Sequence, residues 1–555
     1  MSQDWRGNTM DYNRLAELLF PDVTETPEEV EARYPERDLP EGAKVTRMGP
    51  SPTGFMHLGN LYGALVDERL AHQSGGVFFL RIEDTDKKRE VEGGVQLILE
   101  TFRNFGLPFD EGVTENGDKG KYGPYRQSQR AAIYHVFAKQ LVQRGYAYPC
   151  FCTEEELAEM HAQQEANKEN FGYYGKYAKY RDCELEEIER RIAAGESYVV
   201  RFRSPGSIEN KVRHTDLVKG KLELTENDQD IVLLKSDGIP TYHFAHVVDD
   251  HLMHTTHVVR GEEWLATLPV HLQLFDVLGW KRPKYVHTAQ LMKMDGGSKR
   301  KLSKRKDPEL ALSYYYQQGI PVPSVMEYLM TLLNSNFEEW YDKHPDSPIE
   351  EFKFDVHKMA QSGALFDMDK LHNICRNEFA KMDTDAIYDF LYEWNKEYNK
   401  DMVDVYFKSP EYFKKALELF MGVGQKRRRK DFEYAKQIMP MFSFFFDETF
   451  VPNYEFKYDN AQVREILEKY LASYDHSADN NGWFNNVKAI ADDCGFASDM
   501  KAYKADPESF KGNVSDIAEV VRIAVTGRAN TPDLWTIVHI MGEEQMKERI
   551  EKYIK

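Results

Sequence analysis

GPSPTGFMHLGN, Gly49–Asn60, joins two segments whose hydrophobic periods differ. The residues before it, Ala43–Met48, alternate as a strand does. The residues after it set Leu58, Leu61, Tyr62, Leu65, Val66 and Leu70 on one face at helical spacing. A turn rich in Gly and Pro between strand and helix aims backbone N–H groups and the positive helix end at a phosphate-bearing ligand. Val77–Ile82 (VFFLRI) then reads as a continuously apolar strand, as in a parallel sheet covered on both faces. Val91, Val95, Ile98, Phe102 and Phe105 mark the next helix. Strand, helix, strand, helix from Ala43 to about Gly106 predicts a Rossmann-type α/β half with its ligand at the carboxyl ends of the strands.

A second dense stretch lies about 240 residues further on. KLSKRK (Lys301–Lys306), preceded by Lys299 and Arg300, puts six cations in eight residues, and Gly296 and Gly297 just upstream predict a flexible loop. Alone, the pair His57 and Gly59 would be a capping His beside a packing Gly, and the basic run a solvated face. In this order the two stretches resemble the HIGH and KMSKS motifs of class I aminoacyl-tRNA synthetases, two halves of one ATP site. The blocks FLRIEDTD (Phe79–Asp86), YRQSQR (Tyr125–Arg130), DGIPTYHFAHVVDDHLM (Asp237–Met253) and THVVRGEEW (Thr256–Trp264) follow the order of bacterial-type glutamyl-tRNA synthetases. The resemblance is strong over residues 43–375 and looser beyond.

The fold implied is α/β: a class I synthetase Rossmann-type catalytic domain, an inserted α+β acceptor-binding domain, and an all-α C-terminal anticodon-binding domain. The expected layout is an N-terminal extension at 1–42, whose Leu15, Leu18, Leu19 and Phe20 pack on the catalytic domain. The catalytic halves are expected at 43–106 and 233–300, the insertion at 107–232, the lysine loop and stem-contact region at 301–375, and the helical domain at 376–555. Within the second half, Asp237-Gly238 predicts a hairpin turn between apolar strands.

The resemblance implies a chemistry as well. The glutamate α-carboxylate attacks the α-phosphorus of ATP, supplied with Mg2+, to give glutamyl-AMP and pyrophosphate; the glutamyl group then passes to the 3′ end of tRNA-Glu. A carboxylate is ionised at neutral pH, so the first step needs no general base. It needs positioning and charge neutralisation, which His, Lys and backbone amides supply. By resemblance His57, Gly59, Lys301 and Lys304 are catalytic, and Glu263, Leu291 and Ser303 join them around ATP. Asn60 stands where the motif has its second His, and Arg305 where it ends in Ser. Glutamate recognition asks for donors to two carboxylates and an anion for the ammonium. Arg47, Arg260 and Glu83 fit that need, with Gly49, Ser51, Tyr242 and His246 beside them, and the planar fork of Arg suits a carboxylate. An Arg47–Glu83 structural ion pair and a core role for His246 are the plainer alternatives.

Composition adds limits. The net charge is −20, yet cations cluster at Lys299–Lys306 and Lys426–Lys430, and net charge bears on solubility rather than on local fields. Five cysteines and the polar opening MSQDWRGNTMDYN predict a cytoplasmic protein without a membrane span, and the family resemblance goes with an expected monomer. Cys150, Cys152 and Cys183 resemble part of a family zinc site, but Leu185 stands where a His would follow and Tyr180 is an unusual substitute, so no zinc is expected. The resemblance leaves open a synthetase that also charges tRNA-Gln. A non-catalytic tRNA-binding relative would need damaged motifs, and a nucleotidyltransferase has no use for the Arg47, Glu83 and Arg260 set.

Overall fold

The computed structural model describes residues 10–555; positions 1–9 of the expected extension lie outside the described residues. The chain forms two compact units, residues up to 312 with 329–366, and residues 313–328 with 367–555.

In the first unit β1 (Val45–Met48) pairs in parallel with β2 (Val77–Leu80), Val45 opposite Val77. β2 pairs in parallel with β3 (Glu111–Thr114), and β4 (Gly117–Lys119) closes the edge antiparallel. Helices Leu58–His72 and Gly94–Asn104 fill the two crossovers. Every residue of β1 is buried, consistent with a sheet covered on both faces. The sheet runs past the boundary expected at Gly106, because Asp110 is stitched to β2: its N–H donates to Phe78 O at 2.8 Å and its carboxylate accepts from Phe78 N–H at 2.8 Å. A second parallel pair, His257–Gly261 with Lys284–Thr288, is bridged by helix Leu268–Leu278. Thr256 ties this pair beside β1, its N–H donating to Val45 O at 3.0 Å.

Three expectations are corrected or sharpened. The Asp237-Gly238 turn forms, with Lys235 N–H donating to Ile239 O at 2.9 Å and Leu234 bridging Pro240 antiparallel, but it does not join two strands of the catalytic sheet. Strand Val232–Leu234 instead belongs to an antiparallel sheet with Val199–Phe202 and Ala147–Cys150, and after the turn the chain enters helix Tyr242–Leu252. Phe244, Val247, Val248 and Leu252 are buried at helical spacing, a period that the turn signal overshadowed. Gly296 and Gly297 are not a flexible flank. At φ 54° and 89° they turn a tight hairpin between Leu291–Asp295 and Ser298–Lys301, so the lysine motif begins on a strand. The N-terminal helix Tyr12–Leu19 packs on helix Ala131–Gln143, where Lys139 Nζ donates to Val23 O at 2.7 Å and pairs with Glu17 at 2.8 Å. Arg37 adds a two-pronged bond to Glu111 of β3 at 3.0 and 3.1 Å.

The second unit is helical, with no strand among its described residues. Its core is dense in aromatics: Phe413 lies within 5.2 Å of the rings of Phe407 and Phe442, and Phe420 within 4.8 Å of Phe442. Among the described residues no helix is long and apolar enough to cross a membrane.

The last residue of helix Leu58–His72 carries a testable charge. His72 Nε2 lies 3.0 Å from Asp110 and Nδ1 2.7 Å from Glu68. The two carboxylates, Asp110 first, raise the imidazole to about 9, and the helix C-terminus also favours a cation. A raised folded-state value stabilises fully below the ordinary histidine range near 6.5 and fades as pH rises through about 9. His72→Gln should therefore lower the melting temperature at about pH 6 and leave it nearly unchanged at about pH 10. Thermal denaturation at both values reads the difference; equal losses would assign His72 to packing alone.

Candidate active site

A cavity of about 740 Å3 opens at the carboxyl ends of β1 and of strand His257–Gly261. Arg47, on β1, is buried and directs Nε to Asp250 at 3.1 Å. Arg81, just after β2, donates to the same carboxylate at 2.7 Å and to Glu83 at 3.0 Å. Arg47 and Glu83 thus turn to different partners, and the alternative direct pair is not formed. Burial pushes the Asp250 carboxyl up, but Arg47, Arg81 and His246 outweigh it and hold it well below the usual range. For Glu83 burial prevails over Arg81 and Arg47, so its carboxyl stands above its ordinary value. An arriving ammonium would draw it down again, which suits an ammonium site. Gly49 lines the cavity beside it, and a Cβ there would stand 2.5 Å from Glu83 Oε1. The glycine makes room for the carboxylate.

His57 is the N-cap of helix Leu58–His72. Its backbone N–H donates to Asn60 Oδ1 at 3.0 Å, so the residue in the motif's fourth place fixes the helix start. Burial first, then Lys304 and Lys301, lower its imidazole against the pull of Glu263 and keep it neutral. Its Nδ1 is buried without a protein partner, in a ring that lines the cavity. A Cβ on Gly59 would stand 3.1 Å from that nitrogen. Lys301, Lys304, Glu263 and Leu291 complete this side of the cavity. The two motif regions are stitched together, since Leu312 N–H donates to Met56 O at 3.2 Å and His57 bridges Ala311. Arg300 takes no part: it is bound to Asp295 at 2.6 Å and to Asp307 at 2.6 and 2.8 Å.

Ser51, Tyr242 and Arg260 also line the cavity. Two expected residues do not. Ser303 stands off it, its N–H donating to Asp307 Oδ2 at 2.8 Å where the chain turns. His246 is wholly buried behind Tyr242, one helical turn on, with Nε2 3.1 Å from the Tyr285 hydroxyl and Nδ1 2.6 Å from Asp250. Burial lowers it to about 3, so it is a neutral core histidine supporting Asp250. Residues that the sequence reading passed over include Asp250 and Arg81. Both lie inside quoted blocks, and adjacent acids in a helix with an Arg two before an acid were the available signal. Cys150 and Cys152 lie 3.4 and 3.6 Å from the Tyr173 hydroxyl, but Cys183 does not join them. Among the described residues no three of His, Cys, Asp and Glu gather closely enough to hold a metal ion, so the thiols as placed do not fit a four-ligand zinc site.

Comparison with known proteins agrees with this geometry. Residues 44–373 match the catalytic domain of class I tRNA synthetases for E and Q, and residues 400–554 match an anticodon-binding domain. A glutamate–tRNA ligase of Acetivibrio thermocellus is 53% identical over 98% of this chain and 100% of its own length. One of Clostridium perfringens is 50% identical over 98% and 100%. The crystal structure of a glutamate tRNA ligase from Elizabethkingia meningosepticum, in complex with its amino acid, superposes with a TM-score of 0.74 at 28% identity, over 92% of this chain and 99% of that one. The chain belongs to the glutamate–tRNA ligase family of class I aminoacyl-tRNA synthetases.

Proposed function

We infer that this chain is a glutamate–tRNA ligase, joining L-glutamate to ATP as glutamyl-AMP and passing the glutamyl group to the 3′ end of tRNA-Glu. The observation that carries the reading is one cavity lined both by Arg47, Arg260 and Glu83 and by His57, Lys301 and Lys304. The first set answers two carboxylates and an ammonium; the second answers a triphosphate. Magnesium arrives with ATP as part of the substrate.

In the first step a glutamate carboxylate oxygen bonds to the α-phosphorus and pyrophosphate leaves. His57, neutral and at the positive end of a 15-residue helix, hydrogen-bonds the phosphates. Lys301 and Lys304 take up the charge that grows on the leaving pyrophosphate. In the second step a hydroxyl of the terminal ribose attacks the glutamyl carbonyl and AMP departs. The helical second unit takes the anticodon arm. Aminoacylation with glutamate on purified tRNA-Glu and tRNA-Gln separately tests the whole assignment: charging of tRNA-Glu is expected, and its absence overturns it.

Two substitutions test the parts. Lys304→Ala should lower kcat for adenylate formation by about 100-fold, with a much smaller change in KM for ATP, because the lysine acts on charge that develops in the transition state. A wild-type single-turnover rate would reduce the lysine to basic surface. Gly49→Ala forces the Glu83 carboxylate aside and should cut kcat/KM for glutamate by about 100-fold while KM for ATP holds. Equal losses for both substrates would point to a general collapse of the cavity wall.

A further inference from the structure

Arg260 reaches the cavity from the end of strand His257–Gly261, and it is held there by histidines rather than by acids. Its Nε donates to His287 Nε2 at 2.9 Å and its Nη1 to His271 Nδ1 at 3.0 Å. Both imidazoles are wholly buried. A guanidinium has donors only, so each facing nitrogen must present a lone pair, and that fixes both tautomers. His287 must carry its proton on Nδ1, which lies 2.7 Å from Asp216 Oδ2, an acceptor. His271 must carry its proton on Nε2, which lies 2.9 Å from His243 Nδ1. The chain from Asp216 through His287, Arg260 and His271 to His243 is satisfied at every joint and in one direction only. Burial keeps the three imidazoles neutral, His243 lowered to about 4, so the acceptors persist at neutral pH.

We propose that His287 and His271 are positioning residues for Arg260, gripping Nε and Nη1 while Nη2 lies 3.5 Å from Trp264 O, so that the outer edge of the fork is held at the cavity wall toward the substrate carboxylate. Arg47 in the same cavity is already paired with Asp250, which takes up much of its charge. At Arg260 the imidazoles orient the guanidinium without adding a second acid, and its charge is left for the substrate. Asp216, on the hairpin strand Lys211–Asp216 of the inserted segment, locks the tautomer of His287. Its other oxygen is occupied by the N–H groups of Val218 and Lys219 at 2.9 and 2.8 Å.

The inference rests on the assignment of Arg260 to a glutamate carboxylate, and the test separates the two. In the full chain, at saturating ATP and tRNA, KM for glutamate is measured for two pairs of variants. His287→Gln and His271→Asn each keep a side-chain oxygen near the nitrogen that Arg260 uses; His287→Asn and His271→Gln move it away. The first two are expected within about threefold of wild type, and the second two to raise KM for glutamate by about tenfold or more, with KM for ATP unmoved. Equal KM within each pair would overturn the proposal, since a packing role does not distinguish which nitrogen is replaced. Arg260→Gln is the control. If it leaves KM for glutamate unchanged, the assignment of the arginine fails; if it raises KM while both histidine pairs stay level, only the positioning role fails. A readout independent of variant folding is the 15N spectrum of histidine-labelled wild-type protein. His287 is expected as the Nδ1–H and His271 as the Nε2–H tautomer, and a shared tautomer or an imidazolium at either would overturn the scheme.

Discussion

Asp250 keeps its charge with no side-chain surface exposed, and it does so between one arginine on β1 and another just after β2. A buried carboxylate that loses one such partner costs about 3–5 kcal/mol, because the remaining charge is left uncompensated in a medium that cannot solvate it. The arrangement therefore fixes where Arg47 and Arg81 lie, and through Arg81 it fixes Glu83. The neighbouring Asp249 repeats the device, taking Arg130 at 2.6 Å, Gln127 at 2.9 Å and the Tyr134 hydroxyl at 2.8 Å. Helix Tyr242–Leu252 thus presents two acids one residue apart, one toward the cavity side and one toward helix Ala131–Gln143. The cavity inherits its geometry from this pair.

Much of this was legible in the sequence, and for a physical reason. The strand before Gly49 and the helix after His57 differ in hydrophobic period, and period survives tertiary context better than any single propensity. At Asp237-Gly238 the turn forms as read, but its strength drew attention from the helical recurrence of Phe244, Val247 and Val248 beyond it. The reading failed at Gly296-Gly297, where two glycines read as looseness although a pair at positive φ makes the tightest of hairpins. Of the candidate site residues, most line one cavity; Ser303 and His246 do not, because motif membership carries no information on which way a side chain faces. For Asp250 the paired acids of one helix were a signal, but not of which bases they would meet. The Arg260 histidines were out of reach, because their role depends on partners distant in sequence.

Charge is distributed with a similar economy of means. The chain is acidic overall, yet the cations around the lysine motif divide between two tasks. Arg300 is spent on Asp295 and Asp307, bracing the hairpin, while Lys301 and Lys304 face the cavity. In the helical unit, residues Lys426–Lys430 form an exposed basic run. Such local fields, rather than the total of −20, would meet a polyanion, and an acidic remainder opposes contact everywhere else.

The space left by Gly49 has a consequence for how this chain can change over time. The atom missing from position 49 is filled by the carboxylate at position 83, so the two side chains share one volume. Neither can grow unless the other shrinks. A lineage that replaced Glu83 by a shorter residue would free position 49 to vary, and one that kept Glu83 would hold position 49 at glycine. The two positions, just past the ends of neighbouring strands and far apart in sequence, are bound to drift as a pair.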